Sequence, residues 1–306
     1  MTTSASTDRT NIVRIKFMEA SDIGLTIGLA ILATLSWLFS IAGCKRFAGR
    51  FAHLNSSTLG ADRTTIARVS GGDDQATSAL LEQLGHQDLF ATILALREHR
   101  PGTTFPPTRV RGLHHLQRAQ AAGDGTILWV AHVVHGALGV KVALNRAGIA
   151  VSHLSHPRHG FSSTRFGRIA LNWLRTRVEN RHLRERVMID EREPKAALAV
   201  LRERLAQNGV VSITARDDAR RPTRAPFMCD ALALAPGAPV LARKSGATLL
   251  PVTAFEAADG VIEVHVGPAV PRAHRRSVEA ITACYTRWTE AVVKRQPHQW
   301  LGWLHL

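Results

Sequence analysis

The pattern of apolar and polar positions divides the chain into three parts: a charge-free run, a helical stretch, and a longer region where strands and helices alternate. Residues 23–44 carry no charged side chain over 22 positions, long enough for a helix to cross a bilayer core. Residues 76–97 place Leu80, Leu84, Phe90, Ile93 and Leu94 at helical spacing, with Gly85 expected to split them into two helices. Pro101, Gly102, Pro106 and Pro107 then interrupt the chain. After the turn-like Gly123-Asp124-Gly125, residues 127–131 form a short continuous apolar run, which reads as a buried strand. Small and apolar residues continue over 136–147 and stop at Gly148, which predicts a helix with a glycine C-cap. Further strands are predicted over 149–154, 210–214, 247–253 and 261–266, and further helices over 163–183, 195–207, 236–244 and 276–294.

Strands and helices in this order predict an α/β fold with a mixed, largely parallel sheet flanked by helices, preceded by an N-terminal membrane helix. The expected organisation is a flexible N-terminus (1–22), an anchor helix (23–44), a helical connector region (45–107) and an α/β domain (108–306). Within the connector, the Ser/Thr/Gly-rich residues 56–74 read as a linker.

Composition adds a partner class. Lys and Arg number 39 against 24 Asp and Glu, a formal charge of +15. A chain this basic seeks polyanions: nucleic acid, anionic lipid or an acidic carrier protein. With a single Tyr and no basic segment interleaved with aromatics, it offers no base-stacking platform, so no nucleic-acid partner is expected. An anionic bilayer accounts for the basic surface and the apolar run together. The three cysteines, Cys44, Cys229 and Cys284, are widely spaced and form no C-x-x-C, which argues against disulfides and zinc. Ile41-Ala42-Gly43-Cys44 has the form of a lipoprotein cleavage box. The long preceding segment and its basic exit (Lys45, Arg46, Arg50) read instead as an anchor, single-pass or peripheral, with a buried or interfacial amphipathic helix as the alternative.

Candidate chemistry gathers where the run at 127–131 ends. His132 and His135 follow it, and in open α/β sheets ligands bind at the carboxyl ends of strands. No third ligand lies nearby, so no metal is expected; there is no Gly-rich phosphate loop and no G-x-S-x-G elbow. A second cluster follows the strand at 210–214: Asp217 and Asp218 among Arg216, Arg220, Arg221 and Arg224.

The order of these pieces resembles the lipid A late acyltransferases of the lysophospholipid acyltransferase superfamily. The resemblance rests on the strand-end His132, Val187-Met-Ile-Asp190, Ser212-Ile-Thr-Ala-Arg-Asp217 and Leu241-Ala-Arg-Lys-Ser-Gly-Ala-Thr-Leu-Leu-Pro-Val252, with Gln296-Pro-His-Gln-Trp-Leu-Gly-Trp303 closing the chain. It implies a membrane-anchored enzyme on the cytoplasmic side of the inner membrane. Such an enzyme moves a fatty acyl chain from an acyl carrier protein thioester to a hydroxyl of a membrane lipid or glycolipid, without a cofactor. In an H-x-x-x-x-D/E motif the histidine is the base and the carboxylate orients it. His132 matches the base, but the acidic position is Ala137. Asp217, at the end of a strand expected in the same sheet, is the candidate to replace that acid. His135, Arg158, Arg165, Arg192, Arg216 and Asp218 are the candidate substrate-binding residues. The acidic carrier is expected on the basic surface at 165–184 or 216–224. The missing acid keeps open a non-catalytic descendant that retains a lipid- or carrier-binding cleft.

Overall fold

Strands that are apolar on both faces need cover on both faces, and the helices supply it. The computed structural model describes residues 16–306 apart from Arg158, Ser163, Glu191, Arg192, Asp218 and Arg220, and apart from the side chains of residues 56–58, 194 and 276. Five helices come first: α1 (Ala20–Leu38), α2 (Ile41–Arg50), α3 (Ala52–Thr58), α4 (Arg63–Ser70) and α5 (Asp74–Arg97). The α/β region follows as β1 (Thr108–Arg111), α6 (Leu113–Ala122), β2 (Thr126–Val130), α7 (Gly139–Arg146), β3 (Val151–Ser155), α8 (Asn172–Asn180) and β4 (Glu185–Met188). It continues as α9 (Pro194–Ala206), β5 (Val210–Thr214), β6 (Thr223–Phe227), β7 (Asp230–Leu234), α10 (Gly237–Ser245), β8 (Thr248–Glu256), β9 (Ile262–Val266) and α11 (Val278–Val293).

Seven strands form one sheet in the order β1-β9-β8-β2-β5-β3-β4, and β6 and β7 form a separate hairpin. All neighbours are parallel except β8 and β9, which run antiparallel. The mixed, largely parallel sheet expected from the sequence is therefore present. β2 occupies the centre, with β8 on one side and β5 on the other, and every one of its residues is buried. Trp129 from β2 stacks on Tyr285 from α11 at a centroid distance of 3.9 Å.

Several local expectations change. α5 runs unbroken through Gly85, whose backbone is buried and whose carbonyl accepts a hydrogen bond from Asn55 Nδ2 at 2.9 Å. A tertiary contact outweighs the weak helix propensity of one glycine. The stretch read as a linker contains α4, capped by the Asp62 carboxylate at one end and by left-handed Gly71 at the other. The charge-free run is two helices: α1 ends at Phe39, and the Ser40 hydroxyl accepts from Gly43 N to cap α2, in which Cys44 is buried. The basic helix expected over 163–183 is a π-helical turn (Gly167–Leu171) leading into α8.

The last residues tie down the centre of the sheet. Gln299 Oε1 accepts from Glu256 N at 2.7 Å, and Gln299 Nε2 donates to Glu256 O at 3.0 Å, so one amide side chain imitates a strand neighbour at the end of β8. The backbone of the same segment reaches the turn after β2, where Val134 N donates to Gln299 O and Leu301 N donates to His132 O, each at 2.9 Å. Replacing Gln299 by Leu leaves both Glu256 backbone groups buried and unpaired. At about 1–3 kcal/mol for each group, we expect Gln299→Leu to lower the melting temperature by several degrees in calorimetry.

Candidate active site

β2 delivers its chain to a turn that only a glycine can close. A Cβ at Gly136 would lie 2.9 Å from Ala131 O and 3.0 Å from Val133 O, so residues 131–136 fold back tightly before α7 begins. The turn leaves His132 at the carboxyl end of the central strand, facing a cavity of about 550 Å³. β3 contributes His153 and, beyond its end, His156 and His159; β5 contributes Arg216; α5 and α8 contribute Asp88 and Arg175.

His132 Nδ1 is buried and has no hydrogen-bond partner, whereas Nε2 is not among the buried partnerless atoms. Burial, followed by the positive field of Arg216, His305, Arg175 and His159, pulls the imidazole well below its usual 6.5. The ring is therefore neutral at physiological pH, as a proton acceptor must be. Ala137 lines the same cavity and offers that nitrogen no acceptor.

The expected hydrogen bond between Asp217 and His132 is not formed. Asp217 Oδ1 instead lies 3.9 Å from Nδ1 of His305, and the His305 ring stacks on His132 at a centroid distance of 5.0 Å. A stacked ring transmits charge but fixes no tautomer, so Asp217 reaches His132 only through space. His135 is fully buried on the α5 side, and its partnerless Nε2 goes with a pKa lowered to about 4 by burial and Lys45. Arg216 lines the cavity beside His132, whereas Arg165 is exposed next to α1 and lines no cavity among the described residues. Arg158, Arg192 and Asp218 lie outside the described residues.

Sequence reasoning missed Asp88, Arg175, Glu179 and His305. Asp88 projects from α5 into the cavity shared with His132 and Ala137; burial raises its carboxyl above the usual value, against Arg175 and the Asn55 hydrogen bond. Glu179 of α8 is a buried hub. Lys141 Nζ of α7 lies 2.7 Å away, Arg186 Nη2 of β4 2.6 Å, His159 Nε2 3.0 Å and Arg175 Nε 3.4 Å. Burial alone would push the Glu179 carboxyl up. Lys141, His159 and Arg175 outweigh it and hold the group well below 4.5. Helical spacing could have flagged the Arg175–Glu179 pair, but the other three partners come from separate elements. Among the described residues no cluster suits a metal ion.

Residues 99–306, more than half of the chain, match the family described as bacterial lipid A biosynthesis acyltransferase. None of the curated proteins compared with the chain matches it.

The site's histidines and Glu179 make stability fall on acidification, whereas Asp88, whose carboxyl burial raises, favours the folded state at low pH and acts in the opposite direction. His132, His153 and His135 have folded pKa values below 6.5, so their contribution is complete above the unfolded value and declines as the pH falls below it. Glu179, also depressed, adds a second loss below about 4.5. We expect the melting temperature to fall in two stages on acidification, with Glu179→Gln reducing the lower stage, to which Asp22, Glu185 and Glu263 also contribute. Because that change leaves Lys141 and Arg186 buried without a counter-charge, it should also destabilise the protein at neutral pH by about 3–5 kcal/mol in denaturant titrations.

Proposed function

The chain belongs to the bacterial lipid A biosynthesis acyltransferase family, and from that premise we propose that it moves a fatty acyl chain from an acyl carrier protein thioester to a hydroxyl of a membrane lipid or glycolipid. The reading places the reaction at the inner membrane, with the α/β domain in the cytoplasm. The observation that carries it is a neutral, cavity-facing imidazole at the carboxyl end of the central strand.

In this reading His132 Nε2 takes the proton of the acceptor hydroxyl as its oxygen attacks the thioester carbonyl carbon. The tetrahedral intermediate then collapses, the carbon–sulfur bond breaks, and the carrier's thiolate takes the proton back from the imidazolium. Arg216 stands beside the forming charge, and Arg158, Arg165 and Arg192 are proposed to hold phosphates of the acceptor or the carrier. Asp217 supplies negative field near the imidazolium through His305, and Asp218 is proposed among the substrate-binding residues. The acidic carrier docks on the basic surface at 165–184 or 216–224.

One observation favours a second reading, a non-catalytic descendant that binds lipid or carrier in the same cleft. His132 Nδ1 is buried with nothing to accept its proton. Without that acceptor the imidazolium is costly to form, and the base is correspondingly weak.

The two readings separate in one assay: transfer of label from acyl carrier protein to membrane lipid. The enzyme reading expects transfer by the wild type and a loss of about 10²–10⁴-fold in His132→Ala. Ala137→Glu, which offers Nδ1 a carboxylate, should raise turnover at least about tenfold. Transfer by Ala137→Glu alone would instead establish the non-catalytic reading. Charge reversal at Arg177 and Arg224 tests the docking surface, and unchanged carrier binding would reject it.

A further inference from the structure

We propose that α1 lies in the plane of the bilayer, with one side against the α/β domain and the other in one leaflet of anionic lipid, and does not cross the membrane. By length and composition α1 could span: 19 residues with mean hydropathy 1.5. At 1.5 Å per residue it is about 28 Å long. What argues otherwise is that both of its ends are held by the folded body, the start by Ser162, Thr164, Arg165 and Phe166 of the α/β domain and the far end by α5 and the turn after it.

At the start of α1 the backbone N–H groups of Arg165 and Phe166 donate to Lys16 O at 3.1 Å and Phe17 O at 2.8 Å. One turn further on, the Asp22 carboxylate accepts from Ser162 Oγ at 2.6 Å and Thr164 Oγ1 at 2.8 Å. At the far end Arg97 donates to the carbonyls of Ser36 and Phe39, and Arg100 donates to that of Trp37. Between the ends, Leu29 packs with Leu96 of α5 and Leu171 before α8. A crossing helix would have to break one set of these bonds or carry it through the hydrocarbon. The second course would take a carboxylate, two hydroxyls or two guanidinium groups into lipid, where polar groups without water are costly.

The face turned away from the domain is that of an interfacial helix. Ile23, Ile27, Ile31 and Leu38 recur at intervals of four, four and seven residues and are 52%, 57%, 53% and 74% exposed. The domain extends the patch with Ile169 and Trp173, which are 74% and 46% exposed. His99, between the Arg97 and Arg100 that hold the end of α1, packs on the same part of the domain: its Nε2 lies 2.6 Å from Leu174 O, and its ring sits against Trp173. Arg177 lies over the Trp173 ring at 4.7 Å, and Lys16 and Arg165 are exposed alongside. Apolar side chains rimmed by cations on a protein of charge +15 suit anionic headgroups above acyl chains, which leaves the basic surface at 216–224 for the carrier.

The test is independent of acyl transfer and uses the full-length protein in bacterial membranes. Cys229 is exposed on the hairpin and reports the side of the domain. A Cys229→Ser, Cys284→Ser, Ser4→Cys variant, in which the remaining Cys44 is buried, reports the side of the N-terminus. With a membrane-impermeant maleimide, an in-plane α1 places both thiols on one side, so both label in inverted vesicles and neither labels in intact spheroplasts. Labelling of Ser4→Cys from the outside with Cys229 labelling from the inside would overturn the proposal. The second measurement is flotation with phosphatidylglycerol-containing vesicles. Trp173→Asp, on the domain, should weaken association about as much as Ile27→Asp on α1, each by at least about tenfold, with melting temperatures unchanged. Association unaffected by Trp173→Asp would likewise count against it.

Discussion

One buried carboxylate holds together the elements that carry the site. Glu179 sits where α7, α8, β4 and the loop after β3 converge, and each sends it a cation or an imidazole. An unpaired carboxylate there would be intolerable, and so would Lys141 or Arg186 alone. Together they satisfy one another and fix the relative positions of four segments that share no strand pairing at that point. The arrangement gives geometry more than stability, because apolar residues of equal volume could fill the same space at similar free energy. It also keeps net positive potential along the wall of the cleft, which is one reason the imidazole of His132 stays neutral.

His132 is poised by its surroundings in one respect and left unsupported in another. Burial and neighbouring cations set its protonation state, while nothing fixes its tautomer. Asp88 and Asp217 share cavities with His132, yet each is engaged elsewhere, with Asn55 and Arg175 and with His305, while Glu179 is held in its four-partner hub. A cleft can therefore be acid-rich and still lack the single acceptor that a histidine base uses.

Much of this could be read from the sequence where the signal was local. The strand at 127–131, the strand at 210–214 and the position of His132 all follow from short apolar runs bounded by turns. The family resemblance rested on blocks close to those strands. What escaped was set by contacts distant along the chain. Asp88 and His132 meet across 44 positions, His305 arrives from the far end, and the helix through Gly85 depends on Asn55. The antiparallel pairing of β8 with β9 was hidden for the same reason, since alternation within a strand does not state its direction.

The bond from Leu301 N to His132 O has a consequence for biosynthesis. Chains emerge from the ribosome N-terminus first, so α1 is free to meet lipid long before residue 301 exists. The turn that carries His132 acquires its last two backbone partners only when that segment has been made. The cleft is thus the last part of the molecule to be completed: every other element that lines it exists before the segment that closes the turn at His132.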